Sequence, residues 1–105
     1  MRRASLGYSE QARRDLRLIA RELGILASPR LAGIWVRRLR AKARPLAETP
    51  MMGEKIAEFG PGRRRLVEWP YVIVYEVKEP GRVTVVRILD GRRDLPSLFQ
   101  PIGAD

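Results

Sequence analysis

The sequence predicts an α+β domain in which a helical hairpin packs on a small, mainly antiparallel, twisted sheet. Three observations carry this. Apolar residues recur at helical spacing between residues 9 and 44, the period changes to two between 64 and 89, and serine caps and Pro-Gly turns mark the changeovers. At 105 residues the chain supports one modest core, so 1–105 reads as a single domain.

The elements follow in order. In "RASLGY" (3–8), Ala4, Leu6 and Tyr8 alternate with Arg3, Ser5 and Gly7, which suits a short strand. Ser9 can cap a helix, with Glu10 favourable in its first turn. Ala12, Leu16, Ile19 and Leu23 form one apolar stripe, and Gly24 is the expected stop. A second helix opens at Ser28, with Pro29 at the first helical position, where its missing N–H costs nothing. Leu31, Trp35 and Leu39 make the expected buried stripe, flanked by Ala32, Val36 and Ala43. Arg30, Arg37, Arg38, Arg40, Lys42 and Arg44 fill the remaining faces until Pro45 ends the helix.

Residues 45–62 carry Pro45, Pro50 and Pro61 and three glycines, and read as loop. "GPG" (60–62) lacks phosphate-loop spacing and precedes a strand, so it reads as a tight turn. Met51 and Met52 sit in this loop. Then "RRLVEW" (64–69), "YVIVYEV" (71–77) and "VTVVRIL" (83–89) read as three strands, with the Pro-Gly of "KEPGR" turning the last pair.

Composition excludes several chemistries. Cysteine and histidine are both absent, which removes disulfides, thiolate and imidazole catalysis and nearly every zinc site. No cofactor and no metal are expected. "YVIVY" is far too short to span a bilayer and no apolar run follows the first residues, so no signal peptide, no membrane partner and a cytoplasmic location are expected. Lys and Arg number 21 against 12 acids, a net charge of +9, which points to an anionic partner.

Any chemistry must come from arginine, lysine, tyrosine and carboxylates. Arg63 and Arg65 share a strand face, Arg87 lies on the last strand, and Arg92 and Arg93 occupy the turn after it. If those strands are neighbours, up to five guanidinium groups gather at one end of the sheet, an arrangement suited to phosphate. Tyr71, Tyr75, Glu68 and Asp90 are the available general bases. A solvated strand end with Asp94 pairing an arginine is the plainer reading. Trp35 falls on the apolar helix stripe and reads as core rather than ligand platform, whereas Trp69, beside Pro70 at a strand junction, fits either. The aromatics lack the spaced stacking pattern of single-strand binders.

The segments "YSEQARRDLRLIARELG", "SPRLAGIWVRRLRAKARPLAETPMMG", "PGRRRLVEWPYVIVYEV" and "VTVVRILDGRRDLPSLF" together resemble the ParE/RelE superfamily of type II toxin–antitoxin toxins. The resemblance spans nearly the whole chain and is most specific in "YVIVYEV…VVRILDGRRD". It implies a strand–helix–helix–three-strand fold, in agreement with the element order above. RelE-like members cut messenger RNA on the ribosome. Against their pattern, Arg63 and Arg65 match the basic pair and Arg93 the turn arginine. Val72 replaces the arginine after the first tyrosine, Leu98 stands where a C-terminal tyrosine or histidine is expected, and no such residue follows Tyr75. Each missing group is typically worth about 100-fold in rate.

ParE-like members are not nucleases, and the best known poison DNA gyrase. Their strands resemble "YVIVY" and "GRRD", although they commonly carry histidine where this chain has Asp90. The resemblance therefore implies a ParE-like toxin without catalytic residues. Its expected partners are a small antitoxin with a disordered acidic segment, in a heteromeric complex, and DNA gyrase. The expected target- or partner-binding residues are Arg63, Arg65, Arg87, Asp90, Arg92 and Arg93. The rival expectations are a ribosome-dependent mRNA endonuclease using Arg63, Arg65 and Arg93, and a non-toxic basic nucleic-acid-binding module.

Overall fold

The computed structural model describes residues 5–78 and 81–93. Arg3, Ala4, the proline of the expected Pro-Gly turn, Asp94 and Leu98 lie outside them. The elements are β1 (Ser5–Tyr8), α1 (Glu10–Leu26), α2 (Pro29–Ala43), β2 (Glu54–Lys55), β3 (Arg63–Glu68), β4 (Tyr71–Lys78) and β5 (Arg82–Asp90). Among the described residues the strands form one sheet in the order β1-β5-β4-β3-β2. β1 runs parallel to β5 and the other neighbours are antiparallel. The α+β class and the helical hairpin on the sheet are as the sequence predicts.

Ser9 performs three jobs at the first changeover. Its N–H donates to the Val85 carbonyl (2.9 Å), its hydroxyl donates to the Val86 carbonyl (2.9 Å), and its oxygen accepts the Ala12 N–H (3.0 Å). The residue that caps α1 therefore also ties the helix start to β5, a cap worth about 1 kcal/mol by itself. Ala12, Leu16 and Ile19 are buried as the stripe requires, and Leu23 packs against the same core.

Gly24 does not stop α1; the helix continues through Leu26. A glycine inside a helix costs only about 1 kcal/mol, too little to end it there. The stop comes from Pro29, which disfavours helical backbone at Ser28, and Ser28 then caps α2 by accepting the Leu31 N–H (3.0 Å). In α2 the fully buried residues are Ala32, Leu39 and Ala43, while Leu31, Trp35 and Val36 are half-buried. The expected stripe is thus rotated toward its small residues, which bury where backbones come close. Trp35 meets Tyr71 edge-on, with ring centroids 5.2 Å apart.

The segment after α2 is more ordered than a loop. Pro45 ends the α-helix, and Arg44–Ala47 continues as a 3₁₀ turn that buries Leu46 completely. β2 is a strand the sequence does not reveal, because two residues carry no period; Glu54 and Lys55 pair with Arg65 and Arg64. The turn before it is held by Tyr75, whose hydroxyl donates to the Pro50 carbonyl (2.7 Å) and accepts the Gly53 N–H (2.8 Å). A side chain at Gly53 has no room, since its Cβ would lie 2.6 Å from both the Arg65 carbonyl and the Tyr75 hydroxyl. Gly60 and Gly62 adopt φ of 110° and 73°, so "GPG" is the tight turn expected.

The sheet buries apolar residues on both faces. Leu66, Tyr71, Ile73, Tyr75, Val83 and Ile88 face the helices; Val72, Val74 and Leu89 face the opposite side with Ile56 and Phe59. β3 ends at Glu68, one residue earlier than the sequence suggests, and Trp69 belongs to the turn before β4.

Candidate functional site

The turn that leaves β5 closes on its own side chains. Asp90 is a nearly buried carboxylate (7% exposed). It accepts the Arg92 N–H (2.9 Å) and the Arg92 guanidinium through Nε (3.2 Å) and Nη2 (3.0 Å). The Arg93 N–H donates to the Asp90 carbonyl (3.1 Å) and the Gly91 N–H to the Pro70 carbonyl (2.7 Å), which joins this turn to the β3–β4 turn. These bonds are those of an aspartate-capped turn. The Arg92 hydrogen bond holds the Asp90 carboxyl below its usual range.

The five arginines do not gather at one end of the sheet. β4 lies between β3 and β5, so the two strands are not neighbours. Arg65 and Arg87 flank Val74 in one cross-strand row. Arg63 stands five residues from Glu68, about 17 Å along the strand from the row that holds Tyr71 and Asp90. The structure thus brings Asp90, Arg92 and Arg93 together, aligns Arg65 with Arg87, and leaves Arg63 apart.

Each of these guanidinium groups meets a different carboxylate. Arg63 reaches Glu76 (3.3 Å), Arg65 reaches Glu54 (2.9 Å), Arg87 reaches Asp15 (2.8 Å), Arg92 reaches Asp90 (3.0 Å) and Arg93 reaches Glu22 (2.8 Å). Charge needed to stabilise a phosphoryl transition state is already offset at each of them.

The general-base candidates are similarly engaged. Glu68 accepts Arg38 (2.8 Å) and lies 3.7 Å from Lys42, and Arg38 stacks over Trp35 at 4.7 Å. Tyr71 is pushed up first by burial and then by the Asp90 charge, and burial raises Tyr75 as well. Both phenols therefore hold their protons more tightly than a free tyrosine. Among the described residues no group of histidine, cysteine and carboxylates is placed to hold a metal ion, and no helix is long and apolar enough to cross a membrane.

Sequence reasoning overlooked Asp15 and Glu22. Both lie on the shoulder of the α1 stripe, three residues after Ala12 and Ile19 respectively, and acids so close to a buried face were the available signal. It also overlooked a groove of about 560 Å³ on the outside of the helical hairpin. Ala20, Gly24, Ala32 and Gly33 line it together with Arg21 and Arg37, the Arg37 guanidinium lying over Gly33. Ile25 and Leu26 are strongly exposed beside it. Among the described residues, neither of these arginines meets a carboxylate.

The profile of the ParE toxin of type II toxin–antitoxin systems, parDE, matches residues 6–95. The chain is a member of the ParE toxin family. No curated protein matches it by sequence. Among solved structures, this ParE-family toxin is similar to a chain of the chromosomal ParDE toxin–antitoxin system from P. aeruginosa. The two are 26% identical with a TM-score of 0.70, over 81% of this chain and 92% of the other. It also shares its fold with a chain of the toxin–antitoxin complex RelBE2 from Mycobacterium tuberculosis, at 19% identity and a TM-score of 0.57, over 86% of this chain and 93% of that one. The DGRRD turn thus lies within the matched ParE region, and the fold is common to ParE and RelE toxins.

Proposed function

We propose that this ParE-family toxin acts by protein–protein contact on DNA gyrase and is neutralised by a cognate antitoxin with an acidic segment that folds on binding. The observation that carries the non-catalytic reading is the occupied chemistry of the sheet. Every candidate arginine already meets a carboxylate, Tyr71 and Tyr75 are raised, and the chain has no histidine or cysteine. A ribonuclease needs a proton donor and acceptor matched to the operating pH, and none is poised among the described residues.

The antitoxin reading is supported by likeness to a ParDE system and by the hairpin groove. An acidic amphipathic segment suits a groove lined by small residues together with Arg21 and Arg37, and a net charge of +9 favours its approach. Asp90, in place of the histidine the family resemblance leads one to expect, turns inward onto Arg92. That exchange alters the cap of the turn more than its outer surface, which is compatible with a retained gyrase target.

The deciding experiment is a gyrase supercoiling assay with the chain refolded free of antitoxin. Inhibition, or trapped cleaved DNA, is expected. A folded sample that leaves supercoiling intact while translated transcripts are cut, with cutting lost in Arg93→Ala, would replace this reading by the endonuclease. Salt-sensitive nucleic-acid binding without growth inhibition would replace it by the binding module.

A further inference from the structure

The sheet neutralises its own arginines, and one helix does not. Arg63, Arg65, Arg87, Arg92 and Arg93 each meet a carboxylate. α2 contains no acidic residue, and of its cations only Arg38 and Lys42 turn toward Glu68. Arg30, Arg37 and Arg40, with Arg44 at the end of the helix, are exposed and meet no carboxylate among the described residues. Successive steps of seven, three and four residues keep these four on one side of the helix, in a row about 21 Å long. Gly33 and Ala41, which fall between them on that side, are small, so an extended partner can come close along the row.

Arg40 is positioned without being neutralised. Its guanidinium lies over the Tyr8 ring at 5.0 Å, a contact that uses the flat face of the group and leaves its N–H edge open. Burial raises the Tyr8 phenol, so the ring beneath the cation stays neutral. The same phenol feels the Arg44 charge, which sets Arg44 in the neighbourhood of Arg40 beside β1. A cation fixed in place with its donors unspent is what phosphate recognition by arginine requires.

We infer that this row of arginines binds the phosphate backbone of a double-stranded nucleic acid, without reading its sequence. Each strand of a duplex carries a phosphate about every 3.4 Å along the axis, so the row spans about six steps. A protein partner fits this row less well. Protein interfaces place apolar anchors at the centre and charge at the rim, whereas Ile34 is the one large apolar side chain exposed on α2. A second copy of this chain is a poor occupant, because two bodies of charge +9 repel. Arg37 also lines the hairpin groove, so the test leaves it unchanged. Duplex binding goes beyond the gyrase reading and does not depend on it.

The test titrates the full chain, refolded free of antitoxin, against a short DNA duplex of mixed sequence at salt between about 50 and 200 mM. Two double variants, each losing two positive charges, are compared after a check for the parent's circular dichroism spectrum. Arg40→Gln with Arg44→Gln is expected to weaken binding about tenfold or more and to lower the salt slope by about two contacts. Arg13→Gln with Arg17→Gln, whose arginines face Glu10, is expected to leave the slope as it is. Arg30→Gln, at the other end of the row from Tyr8, should remove about one contact even where the Arg40 change disturbs β1. No duplex binding at the lowest salt overturns the inference. Equal losses in the two double variants also overturn it, because net charge alone then accounts for binding. Tighter binding to poly-glutamate overturns it in favour of an acidic protein, and to phosphatidylglycerol vesicles in favour of a membrane surface. An RNA duplex bound as tightly as the DNA duplex supports recognition of the shared backbone, and a preference for either identifies the source. Gyrase is absent throughout, so the outcome leaves the supercoiling assay to decide the gyrase reading separately.

Discussion

The Asp15 carboxylate on α1 receives both the Arg87 guanidinium, at 2.8 and 3.2 Å, and the backbone N–H of Ile88 at 2.9 Å. β1 covers the edge of β5 only as far as Val85. Beyond that point a helix side chain takes the place of a neighbouring strand and satisfies an edge donor that would otherwise be left open. Replacing Asp15 by alanine leaves that N–H unsatisfied and Arg87 without this partner. The expected loss is about 2–3 kcal/mol in urea denaturation. The substitution Asp15→Asn keeps an acceptor and should cost less; equal losses for both changes would show that charge alone matters there.

Asp90 makes stability depend on pH in a defined direction. Its folded-state carboxyl is held below its ordinary value of 3.8, chiefly by the Arg92 hydrogen bond. A depressed carboxyl contributes stability that is complete above the unfolded value and lost as the pH falls through the folded one. The stability difference between the parent chain and Asp90→Asn should therefore be largest near neutral pH and shrink below about pH 4. Urea midpoints across that range measure it, and a difference independent of pH would exclude the assignment.

Gly91→Ala sets a methyl group against Trp69 Cζ3 and the Pro70 carbonyl, 2.9 and 3.1 Å away. The indole must move, at an expected cost of about 1–3 kcal/mol. Tryptophan fluorescence should report the displacement, since Trp69 is much the more exposed of the two indoles. An unchanged spectrum and melting temperature would mean that the turn yields freely.

Tyr75→Phe removes the hydroxyl that joins Pro50 to Gly53 and leaves one donor and one acceptor without it. The expected destabilisation is about 1–3 kcal/mol. Hydrogen exchange at the Gly53 amide should accelerate more than at the centre of β4, because that bond is lost while the ladder remains. Uniform acceleration would instead indicate global loosening.

How far the sequence could be read depended on how each element is specified. α1, β3, β4 and β5 repeat their apolar period several times, so each was legible from pattern. Ser9, Ser28 and Pro29 marked helix starts by local chemistry, and the structure places all three at those starts. The end of α1 was misread because Gly24 is only a weak breaker compared with the Ser28–Pro29 pair. β2 was illegible because its two residues are defined by pairing with Arg64 and Arg65. The DGRRD turn was visible as a motif, but its ion pairs were not. Glu22 lies 71 residues from Arg93 and Asp15 72 from Arg87, distances that only the fold closes. The expected cluster of arginines failed for the same reason, since β4 intervenes between the strands that carry them.

The parallel pairing of Ser5–Tyr8 with Arg82–Val85 joins the first to the last element of the described residues. β5 is also an interior strand, with β1 on one side and β4 on the other. Synthesis proceeds from the N-terminus, so the opening segment and its helices must wait for the final strand before the sheet can close. A message broken or stalled anywhere before codon 82 yields a fragment lacking β5, the strand that joins β1 to the rest of the sheet. For a member of the ParE toxin family the consequence is an order in time: the assembled sheet surface exists only once β5 has been made.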